Sequence, residues 1–308
     1  MAGPSEATQL MRSLDFVFST ALVLIWAITG AAWSAVVAGG DATPLPWDSS
    51  TDVRIGDIGG GTLVADQGAQ LAAGRAEVGY GPAATGSATV AGAGSLWTVD
   101  GTLLLGDDGT GSLRIEAGGR VSSAAGWIAD GASAVGEAIV TGSGSRWDVA
   151  GTLEVGNRGS GRLTISHGAL VTVGGQLMID EASSRIDSYV DMAAGGMLAI
   201  AGYADSRSIV EFLYLVGGTD AIRYWDAVAG TWAPITDATF GADYSIDYFD
   251  AGELAGYSLL TVGTVPEPAA VMLAGLGVVA AATRFRGGRC RAVRRAPGRS
   301  GGGSPPAR

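Results

Sequence analysis

Residues 94–121 read GSLWTVDGTLLLGDDGTGSLRIEAGGRV, and residues 144–171 read GSRWDVAGTLEVGNRGSGRLTISHGALV. Half of the aligned positions, 14 of 28, are identical without a gap. The match extends backwards. Trp47, Trp97 and Trp147 fall 50 apart, as do Gly56, Gly106 and Gly156, then Leu63, Leu113 and Leu163, then Gly68, Gly118 and Gly168. A fixed period of this length is the mark of a solenoid, a propeller or an array. The copies run over about 44–93, 94–143 and 144–193, the last decaying, with Met197 where the next tryptophan would fall.

The differences between copies carry the physics. Val53, Leu103 and Leu153 stay apolar, as do Ile55, Leu105 and Val155, while Arg54, Leu104 and Glu154 between them share nothing. The same holds after Leu63, Leu113 and Leu163, which are followed by Val64, Arg114 and Thr164. Alternate constraint is a period of two, the mark of a strand with one buried face. The glycine turns that start at Gly56, Gly106 and Gly156 separate such strands, since Gly and Asn tolerate positive φ. In the middle copy this predicts strands near 103–105, 112–116, 120–123, 127–129, 138–141 and 147–149. Strands so short bury a core only by stacking. The expected fold is therefore all-β: a parallel β-helix (β-solenoid) with three repeats of about 50 residues over 44–200. Each repeat holds two three-sided coils of about 25 residues or three of about 17. An antiparallel sandwich or barrel is the rival, and the gapless period disfavours it.

Residues 203–262 lose the repeat and gain aromatics, among them Tyr203, Phe212, Tyr214, Tyr224, Trp225, Trp232, Phe240, Tyr244, Tyr248 and Tyr257. Strand-like runs are Ile209–Val216, Ala221–Asp226, Tyr244–Phe249 and Tyr257–Val262. The expectation is a C-terminal β cap, because an open solenoid end invites edge-to-edge aggregation. The functional alternative is a carbohydrate-binding face, with Trp225 and Trp232 as the candidate glycan-binding residues.

Both ends carry export signals. Arg12 precedes an apolar run from Phe16 to Ile28 and then small residues, so 1–38 reads as a signal peptide, with cuts after Ala32, Ala35 or Ala38. An uncleaved anchor is the other reading. At the far end Val265-Pro266-Glu267-Pro268 is followed by an uncharged run, Ala269 to Thr283, and then by arginines from Arg284 and Arg286 onward. The run reads as a short transmembrane helix, with Arg284 and Arg286 as its cytoplasmic flank, and 287–308 as a disordered arginine-rich tail. This order over 265–286 resembles the PEP-CTERM sorting signal of Gram-negative bacteria. The resemblance implies recognition at Pro266, Glu267 and Pro268 and processing by an exosortase. It also implies an inner-membrane tether before processing, a cell-surface or extracellular location after it, and a link to exopolysaccharide and other envelope components.

The repeat itself, from Gly94 to Ile115 and from Gly144 to Ile165, resembles the passenger-type repeats shared by type V autotransporters and PEP-CTERM proteins. That implies an exported β-solenoid. The roughly 65 residues between 200 and the Val265–Pro268 motif are too few for an outer-membrane barrel with strands of about 10 residues.

Composition narrows the chemistry. Of 308 residues 51 are Gly, and Lys is absent, so all 19 basic residues are Arg. Without the two ends, 10 arginines face 28 carboxylates, a net charge near −18, which opposes nucleic-acid binding. One Cys (Cys290) and one His (His167) rule out a disulfide framework and a Cys/His zinc site. His167 reads as an exposed turn residue. The turns offer Asp57, Asp107, Asp108 and Asn157 as oxygen ligands, but their 50-residue spacing does not stack calcium ligands. Asp107/Asp108 and Asp180/Glu181 are the carboxylate pairs a polysaccharide-degrading enzyme would need, and neither recurs between copies. The expectation is no cofactor, no metal, no catalytic residue and no enzyme. What remains is a surface-sorted structural or adhesive protein of the envelope or exopolysaccharide matrix.

Overall fold

The computed structural model describes residues 35–180, 187–217 and 221–263. On one side of the molecule strands begin at Gly60, Thr85, Thr110, Val135 and Ser160, each 25 residues after the last. Gly60–Asp66, Thr85–Ala91, Thr110–Glu116, Val135–Thr141 and Ser160–Ser166 pair in parallel and in register. Tyr189–Ala193 and Ile222–Asp226 continue the stack in parallel. The opposite wall is a second sheet of shorter or bent strands, among them Gln70–Ala73, Arg75–Val78, Leu96–Leu105, Arg120–Ile128, Arg146–Val149 and Leu153–Val155. The chain is an all-β solenoid, and one turn of it takes 25 residues, half of the period read in the sequence.

The reason for the doubled period lies inside. Facing residues on successive rungs form columns. In the first sheet one column runs Leu63, Ala88, Leu113, Ala138, Leu163. In the second sheet one runs Leu71, Trp97, Val121, Trp147, Val171, Leu198. Another runs Ala76, Leu103, Gly126, Leu153, Leu177. Each alternates large and small, except at the end of the third, where Leu177 meets the equally large Leu153. The rung holding Leu113 on one wall carries Val121 and Gly126 on the other; the next holds Ala138 against Trp147 and Leu153. Interiors pack at crystal-like density, so a rung with an indole on one wall needs a methyl on the other. Gly126 shows how tight this is: a Cβ there would lie 2.8 Å from Trp147 Cζ2 and 2.9 Å from Leu153 Cδ1. Two unlike rungs are thus the smallest unit that repeats.

The serine in each GSxW run ties rungs together. Ser95 Oγ accepts from Gly68 N at 3.0 Å, and Ser145 Oγ accepts from Gly118 N at 3.1 Å. Gly111 is required by close approach, since a Cβ would stand 2.1 Å from Val78 O.

Antiparallel strands lie over three sheet edges. Ala35–Gly40 covers Gly60–Asp66 at one end. At the other, Thr231–Pro234 covers Ile222–Asp226, while Tyr257–Val262 and Tyr244–Tyr248 follow Gly196–Ala201.

Three sequence expectations need correction. The run 209–216 is not a strand: Ile209–Tyr214 is a helix. Ser208 caps it, accepting from Glu211 N, and Phe212 and Leu213 are buried; the Ser-x-x-Glu signal outweighs the β-branched residues there. Met197 does not follow Trp147 in its column. The rung before it is longer by two residues on the first sheet, where Leu163 faces Val190, so Leu198 takes the inward place opposite Val171. A slip of one residue moves a side chain to the other face. Finally, the positions between the inward residues of 103–105 and 153–155 are not free. Leu104 is 1 % exposed, flanked by Glu77 and Trp127, and Glu154 is 8 % exposed.

Candidate functional site

The hairpin at the end of the first sheet builds an aromatic and arginine face. Alternation along Ile222–Asp226 turns Ile222 and Tyr224 inward and leaves Arg223 and Trp225 outward. Asp226 closes the turn by accepting from Val228 N at 2.8 Å and Ala229 N at 3.0 Å. The return strand then sets Trp232 opposite Trp225, with ring centroids 5.3 Å apart at 76°. This edge-to-face pairing leaves Trp225 44 % exposed. Arg223 lies over the Tyr189 ring at 3.6 Å and 6.0 Å from that of Trp232, within reach of a cation–π attraction. Its guanidinium grips Asp191 in bidentate fashion, at 2.7 and 2.9 Å, with Arg162 Nε 3.5 Å away. Asp191 is 1 % exposed, so the pair fixes the platform rigidly. The structure therefore brings the two sequence candidates together and adds Tyr189, Asp191 and Arg223.

A second polar cluster lies on the outer flank of the second sheet. Ser122, Arg146, Asp148, Thr172, Glu253 and Tyr257 line a shallow cleft of about 170 Å³. Arg146 bonds Asp148 at 2.5 Å and also Glu253, which reaches over from the loop 249–256. Thr172 donates to the same Asp148 oxygen at 2.6 Å. Burial works against the charge on Arg146, and the Asp148 and Glu253 carboxylates more than offset it, so its pKa is raised. Both carboxylates are engaged by one guanidinium, and the cluster reads as a clasp holding the loop to the solenoid.

The glycine turns stack at every rung. Asp107 N donates to Gly79 O, Asp130 N to Gly106 O and Asn157 N to Ala129 O, and Asn157 Nδ2 donates to Asp130 Oδ1 at 2.8 Å. The neighbours of Asp107 include acids from adjacent rungs that a 50-residue spacing does not bring together. Burial, and then Glu77, Asp108 and Asp130, raise its pKa. Among the described residues no group of three or more His, Cys, Asp or Glu is placed to hold a metal ion. His167 is exposed at a positive-φ turn (φ 55°), with Nδ1 3.0 Å from Ser166 Oγ. Asp180 also sits at positive φ. Glu181, Cys290, Pro266, Glu267, Pro268, Arg284 and Arg286 lie outside the described residues, as does the terminal apolar segment. Among the described residues no helix is long and apolar enough to cross a membrane.

Residues 264–287 match the family model of the PEP-CTERM protein-sorting motif. The match begins directly after the last strand of the second sheet, Tyr257–Val262, and Gly263. The motif implies an exported protein that is anchored in the membrane, cleaved by an exosortase and displayed at the surface. No curated protein and no solved structure matches the chain.

Proposed function

We propose that this protein is a non-enzymatic structural or adhesive component of a Gram-negative cell envelope or exopolysaccharide matrix. In this reading its three 50-residue repeats form a spacer, 203–262 caps it, and the apolar run after Pro268 spans the membrane until processing. The observation that carries the reading is the junction itself. A solenoid whose last strand pairs antiparallel, Tyr257–Val262 on Gly196–Ala201, runs into the sorting motif with one intervening residue, Gly263. Both sheets end on short strands of four to six residues, three of them antiparallel to their neighbours. Short edge strands blunt end-to-end pairing, which favours a rod of fixed length and leaves the flanks as contact surfaces. Replacing Glu267 by Ala should leave a longer, membrane-retained form, seen by mass and fractionation. An unchanged mature mass would count against sorting through this motif.

The Tyr189, Arg223, Trp232 and Trp225 face supports a second reading, a carbohydrate-binding surface. Polysaccharide pull-down that disappears with Trp225→Ala and Trp232→Ala supports it. Retention that ignores both substitutions removes it. A polysaccharide-degrading enzyme is the third reading. It stands or falls on reducing-sugar release from matrix polymers.

A further inference from the structure

We propose that the export peptidase cuts between Ala32 and Trp33, so that the mature chain keeps Ala35–Gly40 as a working part of the solenoid. The proposal rests on reading the N-terminus as an export signal.

Three cut sites compete at sequence level, after Ala32, Ala35 and Ala38. The structure separates them. Ala35–Gly40 pairs residue for residue with Gly60–Asp66, from Ala35 opposite Asp66 to Gly40 opposite Gly61. Gly60–Asp66 is the first strand of its stack, and without this partner its outer N–H and C=O groups would form an open edge, a template for aggregation. Val36 and Ala38 pack against the buried core. The strand also leads into a set of anchors. Asp41 N donates to Gly60 O at 2.8 Å, and Asp41 O accepts from Gly56 N at 2.6 Å. One oxygen of the Asp41 carboxylate accepts from Asp57 N, Ile58 N and Gly59 N at 3.0, 2.7 and 2.7 Å. Those amides lower the pKa of Asp41, those of Ile58 and Gly59 foremost, so the charged form fills the first glycine turn. Trp47 then lies at the end of the core.

Each rival cut damages this arrangement. Cleavage after Ala38 leaves only Gly39 and Gly40 of the strand. Cleavage after Ala35 puts a free ammonium on Val36, opposite Ala65 in the ladder. Local sequence agrees. Export peptidases want small residues at the cut position and two before it. Ala32 has Gly30 there, Ala35 has Trp33, and Ala38 has Val36. The step is a hydrolysis: water adds across the Ala32–Trp33 amide, giving a carboxylate on the leader and an ammonium on the body.

The test is N-terminal sequencing of the full chain after export from a bacterial host. The expected first residues are Trp33-Ser34-Ala35-Val36. A start at Val36 or Gly39 overturns the placement while leaving the export signal intact. A chain exported with Met1 still in place overturns the placement and marks the N-terminus as an uncleaved anchor, whereas a chain that stays in the cytoplasm overturns the export reading as well. Ala32→Trp should abolish the Trp33 start, with intact precursor accumulating in the membrane; a variant still starting at Trp33 refutes the assignment. A separate arm replaces Val37, which faces Val64 in the ladder, by Pro. If the strand is part of the fold, Val37→Pro makes the exported protein aggregate and exposes 60–66 to limited proteolysis. A variant that stays soluble and resistant refutes the structural role.

Discussion

Ser123 and Ala73 hold the same place two rungs apart, and the protein carries both sides of one experiment. Ala73 and Ser123 each face Val99 across the ladder. Trp147 donates its indole N–H to Ser123 Oγ at 3.1 Å inside the core. Trp97, one repeat earlier, is equally buried, and its Nε1 has no hydrogen-bond partner, because Ala73 offers no oxygen. Ser123→Ala should therefore orphan the second indole. A buried donor left without a partner costs about 1–3 kcal/mol, and in a body of this size each kcal/mol moves Tm by about 2–4 °C. The expected loss is about 2–12 °C. Ala73→Ser should act in the other direction, by about 0.5–1.5 kcal/mol, the net value of one hydrogen bond. Urea unfolding followed by tryptophan fluorescence measures both. Hydrogen exchange over 121–155 would localise the first effect, since solenoid stability is a sum of neighbouring rungs. Ser123→Ala within 0.5 kcal/mol of the parent, together with a destabilising Ala73→Ser, would refute the reasoning.

The remaining predictions address volume, charge and pH. Leu113→Ala should cost about 2–5 kcal/mol and Ala138→Leu about 1–3 kcal/mol. The double substitution keeps the volume of their shared column but crowds the rung of Trp147, so it should not recover stability; recovery in urea titration would show that columns, not rungs, set the fit. Arg223→Ala removes both hydrogen bonds to the buried Asp191 carboxylate and leaves it Arg162 alone, 3.5 Å away, so it should destabilise by about 1–3 kcal/mol, whereas Trp225→Ala, at the exposed end of the same face, should stay below about 1 kcal/mol; equal effects would mean the pair is not what fixes the face. Asp107 has its pKa raised by burial and by Glu77, Asp108 and Asp130, so the folded state holds that proton more tightly than the unfolded one. Its contribution is fully present below the ordinary aspartate pKa and is lost as pH rises through the raised value. Asp107→Asn should therefore flatten the fall of the urea midpoint just above the ordinary aspartate range, and an unchanged slope there would refute the assignment.

Legibility of the candidate site stopped at the repeat boundary. Trp225 and Trp232 stood out as tryptophans in an aromatic stretch, and they do meet. Tyr189, Asp191 and Arg223 did not stand out, because their contacts join separate strands of a ladder. Arg223 reaches Asp191 over 32 positions, and Arg146 reaches Glu253 over 107. Neither distance has a period. The helix Ile209–Tyr214 is the opposite case: Ser208 and Glu211 stand at capping spacing in the sequence, but the β-branched and aromatic residues beside them favour a strand and mask the cap.

Fold legibility had a different limit. Period-two constraint around Leu103 and Leu113 was enough for strands, and the 50-residue copy was enough for stacking. The rung length stayed open between about 25 and about 17 residues because successive rungs differ at the positions that matter most. Ala138 faces Leu113, Val121 faces Trp147, and Gly126 faces Leu153; a search for identity passes over each of these pairs. The same contrast holds the stack in register. Sliding one wall by a rung would set Trp147 in a rung with Leu113 or Leu163 instead of Ala138, and the interior has no room for both. Alternation that hides the true turn from sequence comparison is therefore also what penalises a misregistered turn, and a design made of 25 identical residues per rung would lose that protection.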